Sequence, residues 1–470
     1  MANLLQAVET YNEAGLQVLE NSNPFIFYSN KKFENYKTAN SANLGSTINF
    51  KLRTRFLSNE GTLVATPQDV EQRIQSLTVS EAANIAYSFS DEELIFNVEE
   101  DTEQFVKEAV GELDATVGAN IAQVALTNTY RAFGDGFTAI DSDQQYAQAI
   151  VNFRNYGAVM QGTKLFVSDV SIPPVISNEQ TKFVVSRNNI SGNSWEIGSM
   201  SGANFYSTNL LPTQYAGEVG NGAIELTLTG ISGDGKTLTF SSALPNAPVA
   251  LAENDILTFD PPGATNSTGL VFLTFTGHIP SRQLVQQRVT ADAISDGAGN
   301  ITVTVTPGLI FDPTSANRNV NIDPTTLYGV LNATSLPDHQ AGLLFSGNPL
   351  FVGMPKLNNL SPFVSAVNMD QGSGAAMRSY YGSQLGLATS LFVNDLIYGK
   401  TLVDEMAMRL VYPLSKVLTV VTVKEGKAKE SDVKKVRDHV TANIKAREHL
   451  KKIRDERIQR AKNLQRGIIG

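Results

Sequence analysis

The residues most suggestive of chemistry are Gly230-Ile231-Ser232-Gly233-Asp234-Gly235-Lys236-Thr237, which match the phosphate-loop spacing G-x-x-x-x-G-K-[ST] letter for letter. That spacing works when the loop opens a helix, because the helix N-terminal amides and dipole hold the phosphates. Here Leu238-Thr239-Phe240 follow, with polar and apolar residues alternating. Alternation predicts a strand, so the motif reads as a hairpin turn between two strands. The acidic run Asp91, Glu92, Glu93, Glu99, Glu100, Asp101 and Glu103 lacks the spacing of a calcium loop and has no histidine beside it. It is expected to be a solvated helix start or a partner surface for a basic strand. The four histidines, His278, His339, His439 and His449, form no H-E-x-x-H, and no G-x-S-x-G elbow occurs. No catalytic residue, cofactor or metal site is expected.

Charge is divided along the chain. Residues 424–470 hold 15 Lys and Arg against 7 Asp and Glu, a net of +8. The whole chain has 37 against 46, which leaves 22 against 39, a net of −17, for the first 423 residues. An acidic body with a basic tail suggests a protein that works through surfaces, on copies of itself or on a polyanion. The chain has no cysteine, which removes disulfides and thiolate zinc sites and fits a reducing compartment. No apolar run approaches the roughly 20 residues that span a bilayer, and Met1-Ala2-Asn3-Leu4 does not open a signal peptide, so no membrane is expected.

The elements that would position these residues follow from periodicity. Residues 1–40 read as an N-terminal arm. Ile48, Phe50 and Leu52 alternate with Asn49, Lys51 and Arg53, and 74–89 reads as a returning extended segment, so the pair predicts a long hairpin. Val106, Val110, Leu113, Val117, Ile121 and Val124 recur at helical spacing and predict a helix over 102–130, with Asp101 and Gln104 as its capping box. At 1.5 Å per residue it would be ~43 Å long. A second helix is expected over 143–160. From 162 onward short strands alternate, including Ile224, Leu226 and Leu228, then Ile301, Val303 and Val305, and they predict a small barrel or sandwich over 213–310. Gly372 to Met377 reads as a mobile loop. The tail predicts one amphipathic helix, with Val433, Val436, Val440, Ile444, Leu450 and Ile453 on its apolar stripe. Lys434, Lys435, Arg437, Lys445, Arg447, Lys451, Lys452 and Arg454 lie on its other faces, where they are either a solvated face or contacts to a nucleic acid backbone.

The order of arm, basic hairpin, acidic lead-in, long helix, β-rich insertion and closing α/β region resembles the major capsid protein of tailed bacteriophages. Within that fold it is similar to the coat family of short-tailed enterobacterial phages, which carries an inserted β-barrel domain. The local match is strongest from Val79-Ser80-Glu81 to Ala122, through Tyr87-Ser88-Phe89-Ser90-Asp91-Glu92-Glu93-Leu94, and again at Glu253-Asn254-Asp255-Ile256-Leu257-Thr258-Phe259. The resemblance implies an α+β fold: N-terminal arm 1–40, extended hairpin loop 41–90, and peripheral domain with spine helix 91–160. It continues with axial and remaining peripheral parts 161–212 and 311–412, an all-β insertion domain 213–310, and a C-terminal helical tail 413–470. The run at 418–423 and the basic helix have no counterpart in that pattern.

The resemblance also implies a function. Copies would form hexamers and pentamers of an icosahedral shell around double-stranded DNA, in the virion and, during assembly, in the host cytoplasm. Scaffolding protein and portal would be partners. Lys51, Arg53 and Arg55 are expected to approach Asp91–Glu93 or Glu99–Glu103 of an adjacent copy, and the tail's apolar stripe to dock on neighbouring copies with DNA contact secondary. Two other readings stand beside this one: an encapsulin-like nanocompartment shell, and a β-rich surface adhesin.

Overall fold

A computed structural model describes residues 12–19, 23–30, 47–58, 72–90, 99–156, 162–168, 196–200, 202–222, 224–242, 249–260, 270–275, 277–313, 317–358, 364–369, 375–383 and 389–414, with positions 9 and 315. They form a mixed α/β structure with mostly strands and few helices.

The long helix runs Glu99–Ala122. Its 24 residues would extend about 36 Å. Val106, Val110, Leu113, Val117 and Ile121 are all buried, as their spacing predicts. Both ends differ from expectation. Asp101 lies inside the helix rather than at its N-cap, because helical backbone already begins at Glu99. The helix stops short of 130 because the Gln123 amide is shared between the Ala119 and Asn120 carbonyls, at 3.2 Å each. A separate turn, Val124–Thr127, follows and keeps Val124 in the core. The next helix is Asp143–Asn155, started by a capping box in which Ser142 and Gln145 serve each other's backbone amides. The expected extension to Met160 falls outside the described residues.

Two sheets sandwich the long helix's apolar row. A seven-stranded mixed sheet includes Thr163–Ser168, Ala203–Thr208, His339–Ser346 and Ala407–Pro413. Phe166, Tyr206, Leu343 and Phe345 share a core with the helix, while Leu165, Val167, Leu344 and Leu410 pack under Asp143–Asn155. A five-stranded sheet is built on the 14-residue strand Thr389–Leu402, flanked by Ala376–Ser383 and by Glu81–Ser90. Ile85, Tyr87, Leu396 and Tyr398 face the helix.

Two expectations about flexible parts are corrected here. The described part of residues 1–40 is core: Leu16, Leu19, Phe25 and Ile26 are buried against the long helix, and Phe25 stacks on Phe166 at 4.8 Å. Ala376 and Met377 are buried in a strand instead of lying in a loop. Apolar side chains that find a mate bury there despite a polar neighbourhood in sequence.

Six strands close the barrel: Leu226–Ile231, Thr237–Ser242, Ile256–Asp260, Gln286–Val289, Asn300–Thr306 and Asn332–Ser335. Leu226, Leu228, Leu238, Phe240, Ile301, Val303 and Val305 fill it, on the alternate positions that the sequence predicts. The expected end at 310 is too early. Asn332–Ser335 pairs with both Leu226–Ile231 and Ile256–Asp260, and without it each would keep an open edge.

Candidate functional site

Three arrangements concentrate the polar side chains singled out by sequence. The first is the phosphate-loop look-alike. Its residues lie between the strands Leu226–Ile231 and Thr237–Ser242, with no helix following. The turn closes on itself: the Gly235 amide donates to the Ser232 carbonyl, and the Lys236 amide donates to Asp234 Oδ1 at 3.1 Å. Gly235 sits at φ 65°, and a Cβ there would lie 2.2 Å from the Leu309 carbonyl oxygen. The turn is packed against its own barrel, so the hairpin reading holds and the glycine serves a close approach of two backbones.

The second arrangement is the root of the hairpin. Thr47–Lys51 and Ile74–Thr78 pair antiparallel, and the Leu52 amide continues the ladder to the Arg73 carbonyl at 2.9 Å. The strand itself is shorter than the alternation over 47–55 suggests, because beyond Lys51 the chain turns to its own body. Ile48, Phe50 and Leu77 face inward, onto Val79, Ile397, Phe351 and Leu357. Phe50 stacks on Phe351 at 4.4 Å. Gln75 Nε2 donates to Thr401 Oγ1 and the Leu402 carbonyl at 2.8 and 2.9 Å. The chain then crosses the long strand at Gly399, where a Cβ would meet the Thr78 carbonyl oxygen at 2.3 Å.

At this root the structure separates the three basic residues that the sequence groups together. Lys51 and Arg53 are exposed. Arg55 is buried, and its Nη2 donates to Glu405 Oε1 at 3.3 Å, within the same chain. Arg73 pairs with the same carboxylate oxygen. Arg53 and Arg55 also lie over the Phe275 ring, 5.2 and 4.4 Å from its centroid, which ties the root to the insertion. Arg55 is therefore corrected from an intersubunit cation to an internal clamp, since an apolar ring and a buried carboxylate already hold its guanidinium. Glu405, Arg73 and Gly399 were not singled out by sequence. Nothing in their spacing marks them, because their partners lie hundreds of residues away.

The third arrangement is a buried polar junction where the long helix, the seven-stranded sheet and the barrel meet. Arg409 is fully buried and donates to the Leu126 carbonyl at 2.9 Å, the Ala125 carbonyl at 3.2 Å and the Asn254 carbonyl of the barrel at 3.2 Å. It satisfies carbonyls that the end of the short turn Val124–Thr127 leaves without amide partners. Burial pulls its pKa down to about 9, which leaves it cationic at neutral pH. His339 stands 3.4 Å away, and its Nδ1 donates to the Pro337 carbonyl at 2.7 Å. Burial, then the Arg409 charge, lower its pKa to about 3. Asp255, on the barrel side, accepts from Gln214 Nε2 and from the Gly217 and Ala252 amides at 2.9 Å each, yet burial still pushes it up to about 7. Arg131 donates to the Glu405 and Ala407 carbonyls and stacks on Tyr156 at 4.1 Å. Sequence had marked His339 only as an isolated histidine.

The remaining expected residues cannot be placed by side chain. Asp91, Glu92 and Glu93 lie outside the described residues, and Glu99, Glu100, Asp101 and Glu103 are described as helical backbone only. The whole tail from 415, with Val433, Val436, Val440, Ile444, Leu450, Ile453 and its basic residues, lies outside them too. Among the described residues no group of three or more His, Asp or Glu side chains is placed to hold a metal ion, and no helix is long and apolar enough to cross a membrane.

No protein-family model matches the chain, and no curated protein matches it. Among solved structures, the chain is similar to that of Mycobacterium phage Che8, at 10% identity over 83% of this chain and 91% of that one, with a TM-score of 0.38. The capsid of Ralstonia phage GP4 aligns at 6% identity over 82% and 87%, with a TM-score of 0.40. The virus-like particle from Pyrococcus furiosus aligns at 8% identity over 86% and 98%, with a TM-score of 0.36.

Proposed function

We propose that this chain is a shell-forming coat protein of a tailed phage, which acts by binding copies of itself. The observation that carries the reading is the hairpin root. Its inner row is fixed to the body by Phe50 on Phe351, by Gln75 on Thr401 and by the shared Glu405 pairs. Its outer row, Thr47, Asn49, Lys51 and Arg53 with Ile74, Ser76 and Thr78, is exposed. A ribbon anchored this firmly, with Lys51 and Arg53 exposed on its outward face and no ion pair to either among the described residues, is built to present charge to something outside its own fold.

In this reading Lys51 and Arg53 meet the acidic stretch of an adjacent copy, Asp91, Glu92 and Glu93 or Glu99, Glu100, Asp101 and Glu103. Each exposed pair contributes only about 0–1 kcal/mol, so repetition around a shell sets register more than strength. Copies close as hexamers and pentamers around double-stranded DNA, with scaffolding protein and portal as partners. The acidic body keeps the wall from adhering to the genome. The tail's stripe of Val433, Val436, Val440, Ile444, Leu450 and Ile453 docks on neighbouring copies, and its lysines and arginines touch the DNA backbone secondarily.

The test is electron microscopy of the purified full chain beside a Lys51→Glu, Arg53→Glu variant. Closed shells from the parent and folded but unassembled variant chains are expected. Chains that remain monomeric at high concentration under assembly conditions, or normal shells from the variant, overturn the reading. Nucleic acid inside particles made in the native host separates a genome shell from a nanocompartment.

A further inference from the structure

Asn221-Gly222 is the chain's one Asn-Gly pair. Such a pair ordinarily marks a hairpin turn. It is also the dipeptide whose asparagine most readily loses its amide, because no Cβ keeps the following nitrogen from the side-chain carbonyl carbon. Here the pair lies in the neck of the barrel. The chain enters the barrel after Thr213–Gln214, which pairs with Gln340 and His339 of the body, and it leaves between Asn332–Ser335 and His339. Asn221 is exposed and ends the one-turn helix Glu218–Asn221.

Its side chain clasps the returning chain. Asn221 Nδ2 donates to Asp338 Oδ1 at 2.9 Å and to the Ala216 carbonyl at 3.2 Å. Asn221 Oδ1 accepts from the Asp338 amide at 3.1 Å. Asp338 Oδ1 also accepts the Ala216 amide at 2.8 Å, so the entering and leaving passages are tied to each other. The same geometry holds off the loss of the amide. Attack needs the Gly222 nitrogen free of its proton and set against Asn221 Cγ. Instead the Gly222 N–H donates to the Glu218 carbonyl at 2.8 Å, and the clasp holds the carboxamide toward Asp338. Only when the neck opens are both groups released.

We propose that Asn221-Gly222 is a deamidation site gated by opening of the neck, and that its reaction makes the opening permanent. On opening, solvent base takes the Gly222 amide proton and the nitrogen bonds to Asn221 Cγ. The Cγ–Nδ2 bond breaks, and Nδ2 takes a proton from solvent and leaves as ammonia. Water then opens the cyclic imide to aspartate or isoaspartate, so the net change is water in and ammonia out. The product carboxylate can donate neither to Asp338 Oδ1 nor to the Ala216 carbonyl. It also sets a second negative charge against Asp338, and like charges this close repel. The mount of the barrel is loosened, while its own core of Leu226, Phe240 and Val303 is untouched. The chemistry is independent of what the chain assembles into.

Peptide mass spectrometry of the full chain, kept at mildly alkaline pH, follows the conversion of amide to acid at Asn221. A urea-unfolded sample gives the unguarded rate. The folded parent should react at least about tenfold more slowly, the factor set by how rarely the neck opens. Asp338→Ala removes the clasp and should bring the folded rate up towards the unguarded one. Asp338→Asn keeps an acceptor and should stay near the parent. Circular dichroism checks folding. If Asp338→Ala does not fold, the parent in urea below its unfolding transition takes its place, and its rate should climb with urea. Asn221→Asp carries the product's charge. It should speed hydrogen exchange at the Ala216 and Asp338 amides and leave Leu226–Ile231 as protected as before. A folded rate equal to the unfolded one, no acceleration when the clasp is lost, or neck amides as protected in Asn221→Asp as in the parent overturns the proposal.

Discussion

Arg409 Nη1 lies 3.4 Å from His339 Nε2, and the guanidinium fixes the state of the imidazole. The guanidinium can only donate, so Nε2 must be an unprotonated acceptor, while Nδ1 donates to Pro337. Through Arg409 the neutral histidine helps hold the Val124–Thr127 turn after the long helix to the Asn254 carbonyl of the barrel. A charge on His339 would oppose that junction.

A pH dependence follows. His339 has a folded pKa of about 3 against an ordinary 6.5, so the unfolded chain binds its proton first. The stability it contributes is fully present above 6.5 and is lost as pH falls towards 3, at about 1.4 kcal/mol per unit. Asp404, raised to about 6 by burial and then by Glu405, and Asp255, raised to about 7, act in the opposite sense: what they contribute is present below about 3.8 and is lost as pH rises through those values. Urea unfolding of the parent and His339→Gln at pH 7, 5.5 and 4.5 isolates the histidine. The parent's advantage should shrink with each step, and an advantage constant across the three would refute the assignment.

Glu405→Gln should destabilise the hairpin root. It leaves Arg55 buried over Phe275 without its carboxylate, and breaking a buried pair from one side costs about 3–5 kcal/mol. Faster hydrogen exchange at 74–78 and a lower unfolding midpoint are the expected readouts. Arg55→Glu should show the same loss of folding stability, whereas Arg53→Glu should leave the monomer intact and affect assembly. Equal folding stability in all three would remove the distinction between Arg53 and Arg55.

Gly399→Ala places a methyl group against the Thr78 carbonyl at 2.3 Å and Val79 Cα at 3.0 Å. Overpacking of this kind costs about 1–3 kcal/mol, and here it pushes the hairpin off the sheet. The thermal midpoint should fall. Protection should also be lost at Ile74–Thr78 before it is lost in the barrel.

The loop at Gly230–Thr237 should not bind nucleotide. Calorimetric titration with ATP and magnesium should give no heat of binding, and Lys236→Ala should leave the barrel's stability within about 0.5 kcal/mol. Gly235→Ala, by contrast, should destabilise the barrel, since φ 65° and the Leu309 backbone both exclude a side chain. Tight ATP binding would overturn the hairpin assignment.

Periodicity along the chain was enough for the long helix's buried row, from Val106 to Ile121, and for the barrel's inward set at Ile301, Val303 and Val305. Burial on one face of a helix or strand repeats every few residues, so it is written locally. The turn at Gly235 was legible for the same reason. What the sequence could not show were relationships between distant positions. Arg55 and Arg53 differ by two residues and share a charge, yet one is clamped to Glu405, 350 residues away, and the other faces outward. Asn332–Ser335 looks no more like a barrel strand than its neighbours until two open edges need it. The polar start of the chain reads as an arm until Phe25 finds Phe166. In each case the deciding term is desolvation against a partner that only folding brings near, and that free energy belongs to the pair rather than to either residue.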